Sequence, residues 1–144
     1  MDLLTRLTAS ADIANLVARR CRSLDEQDWD AYAACHTPDV VSWAIGSEQG
    51  VEEPARGIEA VISFLRKQLT GTTTVHHVHS PEIVLTTEST ASGTWAMEDR
   101  LWWTAEGQER WLHGFGRYEE TYERVDGRWL IASRRLVRTR VERG

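Results

Sequence analysis

Cysteine is scarce in this chain. Cys21 and Cys35 are the only two, too few for a disulfide framework, and they suit a reducing cytoplasm. No segment approaches the roughly 18 apolar residues of a membrane span, and the first residues lack a signal-peptide pattern. Positive charge is also short, with 17 Lys and Arg against 22 Asp and Glu and a net charge of −5. Phosphate binding needs a basic face, so nucleic acid is not an expected partner. The one counter-signal is the late run Arg134, Arg135, Arg138, Arg140 and Arg143. It alternates along a predicted strand and reads as a solvated edge or an oligomer contact. There is no internal repeat, linker or low-complexity stretch. No glycine loop is built to cradle phosphate, so no organic cofactor is expected.

What is present describes one domain, 1–144, long enough to bury roughly two-thirds of its unfolded surface. Hydrophobic residues make up 41% and charged residues 27%, the balance of an ordinary soluble globular protein. Seven tryptophans are many for this length. Each joins a large apolar area to a single N–H donor, which suits a ring-binding cavity or an oligomer interface.

Ile13, Leu16, Val17, Cys21 and Leu24 recur at helical spacing, with Ser10 as the expected cap and an end near Asp25. Asp28 is expected to cap a short helix carrying Trp29, Tyr32 and Ala33 that stops at Thr37-Pro38. Val40 to Ile45 reads as a strand and Gly46 to Pro54 as a polar loop. A third helix holds Ile58, Val61, Ile62, Leu65 and Leu69 on one stripe, with Gly71 beyond its end. The rest alternates strand and turn. Thr73–Thr86 is extended, and Pro81 marks an edge or a bulge. Ala91–Thr104, Glu109–Arg124 and Trp129–Val141 follow, the last pair joined by the two-residue hairpin signal Val125-Asp126-Gly127-Arg128. Helices first and an antiparallel meander afterwards predict an α+β fold with the helices on one sheet face.

That order, with Leu24-Asp25 and Trp29-Asp30, then His76 followed by His79-Ser80-Pro81-Glu82-Ile83, resembles a known family. Gly93-Thr94-Trp95 with Glu98-Asp99, and Tyr122 before Val125-Asp126-Gly127-Arg128-Trp129, complete the likeness. It is to the SnoaL-like branch of the nuclear-transport-factor-like α+β cones, and it covers roughly residues 10 to 140. The resemblance implies a cystatin-like cone: a curved antiparallel sheet wrapped around three N-terminal helices, enclosing an apolar cavity open at one end. The members it resembles include eliminating enzymes: bile-acid 7α-dehydratase, scytalone dehydratase and hexachlorocyclohexane dehydrochlorinase. In these a strand histidine is the base and an aspartate at the end of the first helix supports it. Those roles fall on His76 and Asp25. A further aspartate, in a Trp-x-x-Glu-Asp strand of the bile-acid enzyme, falls on Asp99. Arg20 departs from that enzyme, which has a tyrosine there, and agrees better with the dehydrochlorinase, which also has a tryptophan where Trp43 stands.

The residues carry their own argument. One imidazole served by two carboxylates is a proton-transfer set, because a carboxylate orients the ring and stabilises its protonated form. Alternate strand residues share a face, so His76 points opposite to His77 and His79. A His-x-His pair can bind zinc, but no thiolate pair or suitably spaced glutamate accompanies it, and no metal is expected. Asp25 sits at a helix C-terminus, where a carboxylate opposes the macrodipole unless a cation compensates. Asp99 shares a strand face with Trp95, Met97 and Leu101, a costly place for an unpaired acid and one that should raise its pKa. Glu98 faces the other way as an ordinary ion-pairing residue. Arg20 either binds an anionic or carbonyl group of the ligand or extends to the surface. Trp43, Tyr118 and Trp102 are candidate walls of the substrate site.

The expected activity is that of a cofactor-independent lyase. It would eliminate water from a small apolar cyclic substrate such as a steroid, terpenoid or polyketide, with His76 as base, Asp25 as its partner and Asp99, or the His76 imidazolium itself, as acid. Two alternatives are a non-catalytic ligand-binding or subunit-interaction cone and an isomerase of the same fold, in which Tyr118 pairs with a protonated acid. Exposed aromatic strands, and the trimers formed by the dehydratase relatives, point to a homo-oligomer, trimer or dimer.

Overall fold

The computed structural model describes residues 1–43 and 53–144. The chain opens with α1 (Leu3–Asp25), whose N-cap is Asp2 rather than Ser10: the Asp2 carboxylate accepts from the Thr5 N–H at 2.7 Å. Its first turns expose Leu3, Leu4 and Leu7, so the amphipathic signal begins only at Ala9 and Ile13. From there Ile13, Leu16, Val17, Cys21 and Leu24 form the buried face, as the spacing predicts. Asp28 caps α2 (Trp29–Ala34) through the Ala31 N–H. Strand β1 (His36–Ser42) starts before Thr37-Pro38 and not after it. The expected end of this strand at Ile45, and most of the expected polar loop, lie outside the described residues. Then come β2 (Ala55–Arg56), α3 (Ile58–Leu69) and the long strands β3 (Thr73–Leu85), β4 (Thr90–Ala105), β5 (Gln108–Val125) and β6 (Arg128–Arg143).

These strands form one sheet in the order β2-β1-β6-β5-β4-β3. The meander β3 to β6 is antiparallel as expected, but β1 pairs with β6 in parallel, so the sheet is mixed. Asp126 and Gly127 both take positive φ (51° and 78°), the type I′ geometry that matches strand twist and favours Asp-Gly. Pro81 sits at a register shift between His79 and Glu82 on the edge strand β3, where a missing N–H costs no ladder bond. Further shifts at Phe115/Gly116 and Thr121/Tyr122 bend β5 against β6, so the sheet curves without closing.

Alternation settles which side is covered. In β4 and β5 the residues Trp95, Met97, Asp99, Leu112, Tyr118, Glu120 and Tyr122 are buried while their neighbours are more exposed. α1 packs over this face and makes one core with Ile13, Val17, Trp95, Met97, Tyr122 and Ile131. A second core gathers Leu24, Tyr32, Val40, Val61 and Leu69 between the helices and β1. Cys21 and Cys35 are both free and buried. Among the described residues no helix is long and apolar enough to cross a membrane.

Candidate active site

The end of α1 meets the edge strand β3, and Asp25 is the contact. Its carboxylate accepts three hydrogen bonds: from the Thr74 hydroxyl at 2.9 Å, the His76 backbone N–H at 3.0 Å and His76 Nδ1 at 2.7 Å. Three donors offset the unfavourable helix end, and one of them is a main-chain group of the edge strand that would otherwise need another partner. Burial pushes the Asp25 carboxyl upward. The hydrogen bonds from the His76 ring and backbone, the imidazole charge and the Thr74 hydroxyl outweigh it, so the group ends below the ordinary carboxylate value. A short contact from Nδ1 to a carboxylate places the ring proton on Nδ1 and leaves the Nε2 lone pair unprotonated in the neutral ring. The His76 side chain is only 9% exposed and that of Asp25 24%.

On the far side of the ring, Nε2 lies 3.9 Å from the Asp99 carboxylate, opposite His76 in the β3–β4 register. Asp99 is buried but is not the unpaired acid expected on an apolar face. Arg138 grips it with two parallel hydrogen bonds, Nη1 to Oδ1 at 2.9 Å and Nη2 to Oδ2 at 2.8 Å. This bidentate geometry gives the buried Asp99 a paired cation. Space for it comes from Gly114, the register partner of Asp99: a Cβ there would overlap both the Arg138 guanidinium and the Asp99 carboxylate. Sequence reading passed over Arg138 and Gly114. The signal for Arg138 was its alternation with Arg134 and Leu136 in β6.

Beside this group lies a second, more deeply buried one. Arg20 and Arg134 are 1% and 2% exposed and Glu120 2%. The reading of Arg134 and Arg138 as a solvated edge is therefore wrong; they turn inward, while Arg135 and Arg140 are exposed. Arg134 donates to Glu120 at 2.8 Å, to the Tyr32 hydroxyl at 3.2 Å and, through Nη2, to His36 Nε2 at 3.1 Å. A guanidinium only donates, so His36 Nε2 is the acceptor and Nδ1–H donates to the Tyr32 carbonyl at 2.7 Å. His36 is thus neutral, and burial followed by the Arg134 charge depresses its pKa well below 6.5. The other Glu120 oxygen accepts from the Tyr122 hydroxyl, which accepts in turn from Trp95 Nε1, both at 2.9 Å.

Arg20 does not extend to the surface. Its guanidinium lies 4.6 Å over the Tyr118 ring, and its Nη2 is 4.0 Å from Glu120. Among the described residues Arg20 Nε and Nη2 have no hydrogen-bond partner. A cation–π contact is worth about 2 kcal/mol when desolvated and engages the face of the guanidinium. Each unpaired buried donor costs about 1–3 kcal/mol, and these two lie on its edge. Burial pushes the Tyr118 phenol up to about 12.

The remaining candidate walls stand elsewhere. Trp102 alternates with Leu101 and so faces away from His76, beside Arg100, Trp111 and His113. Trp43 is half-buried at the end of β1 with Arg135 4.9 Å over its ring. His77 and His79 are exposed on the face opposite His76, where Glu98 pairs with His77 at 3.7 Å and His113 at 2.9 Å. Among the described residues no three His, Cys, Asp or Glu side chains are grouped to hold a metal. A cavity of about 630 Å³ lies outside α1, lined by Arg19, Arg22, Glu26, Cys35, Arg128 and Trp129 among others, and His76 is not part of it.

A SnoaL-like domain profile matches residues 5–135. The chain belongs to the SnoaL-like family. Solved structures share its curved, unclosed cone. A scytalone-dehydratase-like protein from Novosphingobium aromaticivorans is 24% identical over 96% of this chain and 89% of its own, with a TM-score of 0.80. A hexachlorocyclohexane dehydrochlorinase from Novosphingobium barchaimii is 14% identical over 99% and 94%, with a TM-score of 0.82. A protein from Kribbella flavida is 17% identical over 95% of each chain, with a TM-score of 0.85. At such identities the likeness is one of fold, and the chemistry of this SnoaL-like chain rests on its own residues.

Proposed function

We propose that the protein is a cofactor-independent lyase that removes water from a cyclic, largely apolar substrate of the steroid, terpenoid or polyketide kind. The observation that carries this reading is the 2.7 Å contact between His76 Nδ1 and Asp25, with a second bond from the His76 backbone to the same carboxylate. Together they fix both the rotation of the ring and its tautomer, and they leave Nε2 as a poised base. A fold shared with dehydratase-like and dehydrochlorinase proteins is compatible with elimination, and the choice of chemistry rests on the His76–Asp25 pair.

In this mechanism Nε2 takes the proton from the carbon next to an electron-withdrawing group. The C–H electron pair becomes the new double bond as the β-hydroxyl departs. Asp25 and Asp99 stabilise the imidazolium from its two sides. The imidazolium then returns its proton to the leaving oxygen, so the products are the alkene and water and His76 is restored. Asp99, clamped by Arg138, serves as a counter-charge and not as the acid. A positioned base of this kind contributes about 10²–10⁴-fold. The test is a panel of cyclic β-hydroxy ketones, with the conjugated product followed by its ultraviolet absorbance. Turnover by the wild type and a loss of about 10²–10⁴-fold in His76→Ala are expected. No turnover on any member, or near-wild-type turnover by a folded His76→Ala variant, would overturn the reading.

A further inference from the structure

We infer that the buried edge of Arg20 is a binding subsite for one anionic oxygen group of the ligand, a carboxylate or an ionised phenol. The inference rests on the lyase reading only in taking that ligand to be the substrate. Two guanidiniums, Arg20 and Arg134, share the interior with one carboxylate, Glu120, whose two oxygens are already taken by Arg134 and the Tyr122 hydroxyl. The other inward-facing acids are engaged as well, Asp99 by Arg138 and Asp25 by His76 and Thr74. His36 accepts a bond from Arg134 and supplies no negative charge. Arg134 has spent each of its nitrogens, whereas Arg20 Nε and Nη2 make no hydrogen bond among the described residues, Nη2 standing 4.0 Å from the Glu120 oxygen that Arg134 already holds.

Those two nitrogens form the side-on edge of the guanidinium, the pair of parallel N–H groups that a carboxylate accepts bidentately. The Tyr118 ring lies against the guanidinium face and makes no hydrogen bond to that edge. Arg20 precedes Asp25 by five residues on α1, about 7.5 Å along the helix axis, so a ligand anchored at Arg20 is held on the same helix that carries the partner of His76. The substrate class narrows from apolar rings to rings bearing one negative oxygen.

The test uses the full chain and two probes matched in shape, benzoate and benzamide, in chloride-free buffer, with affinity read by calorimetry. Benzoate is expected to bind at least tenfold more tightly than benzamide, and Arg20→Met to lose at least tenfold in benzoate affinity together with that preference. His76→Ala is expected to keep both. Equal affinity for the two probes in the wild type, no binding of benzoate, or unchanged benzoate affinity in Arg20→Met would overturn the subsite. The wild-type comparison decides even where Arg20→Met does not fold. Selective benzoate binding alongside absent elimination activity would defeat the lyase reading and leave the subsite standing.

Discussion

Two polar groups share the inside of this sheet, and they are balanced differently. Around His76 the partners match: Asp25 serves the ring, Arg138 serves Asp99, and the side chains of Asp25 and Arg138 remain 24% and 17% exposed. Around Glu120 two cations face one anion, all of them sealed from solvent. The difference separates a place where charge can move from a place where it is fixed. A proton taken up by His76 meets a carboxylate on each side. A proton taken up by His36 would meet Arg134, so that ring stays neutral. The same amino-acid types thus do opposite work, and the count of partners decides which.

The comparison can be broken first at Glu120. Glu120→Gln keeps the shape and leaves two buried guanidiniums without an anion, and a loss of about 3–5 kcal/mol is expected in urea unfolding. A change under about 1 kcal/mol would mean that the buried pair is not an energetic unit. Asp25→Asn strikes the matched group. Turnover on a β-hydroxy ketone is expected to fall roughly 10²-fold. Circular dichroism should show an unchanged fold, since the remaining amide oxygen still accepts from the His76 N–H and the amide NH2 can donate to the Thr74 hydroxyl oxygen. Gly114→Ala pushes a methyl group into the Asp99–Arg138 pair and is expected to cost about 1–3 kcal/mol by overpacking. An alanine variant as stable as the wild type would show that the pair has room to shift.

The smallest effect is in pH. The folded chain refuses a proton on His36 that the unfolded chain binds near 6.5, so the unfolded state carries more protons below that value. The His36 contribution is therefore complete above about pH 6.5 and declines as pH falls, and His36→Gln should flatten that slope. Asp25, held below its ordinary value of 3.8, adds a second decline only when pH falls below it. Denaturation midpoints measured at a series of pH values separate the two. A wild-type midpoint constant from about pH 7 to about pH 5 would contradict the neutral, buried His36.

Much of this arrangement was legible in the chain because it rests on short-range rules. Strand alternation set His76 opposite to His77 and His79, the family resemblance selected His76 as the inward one, and Asp-Gly fixed the last hairpin. What escaped were features set by distant partners. The first two turns of α1 carry exposed leucines, so periodicity concealed a helix that an Asp2 side chain starts. The parallel pairing of β1 with β6 joins segments about ninety residues apart and leaves no local pattern. The arginines of β6 read as surface because a charge run usually is; only the register, which sets Arg134 against Glu120 and Arg138 on the same face near Asp99, turns these two inward. Trp102 resembled a wall by residue type, yet one step of alternation puts it on the other face.

The most direct test of the proposed mechanism is the protonation pattern of the neutral His76 ring, read from long-range nitrogen–proton NMR correlations on uniformly ¹⁵N-labelled protein. The account predicts a proton on Nδ1, donated to Asp25, and a bare Nε2. A proton resident on Nε2 would contradict it, because that ring would have no lone pair to offer a substrate.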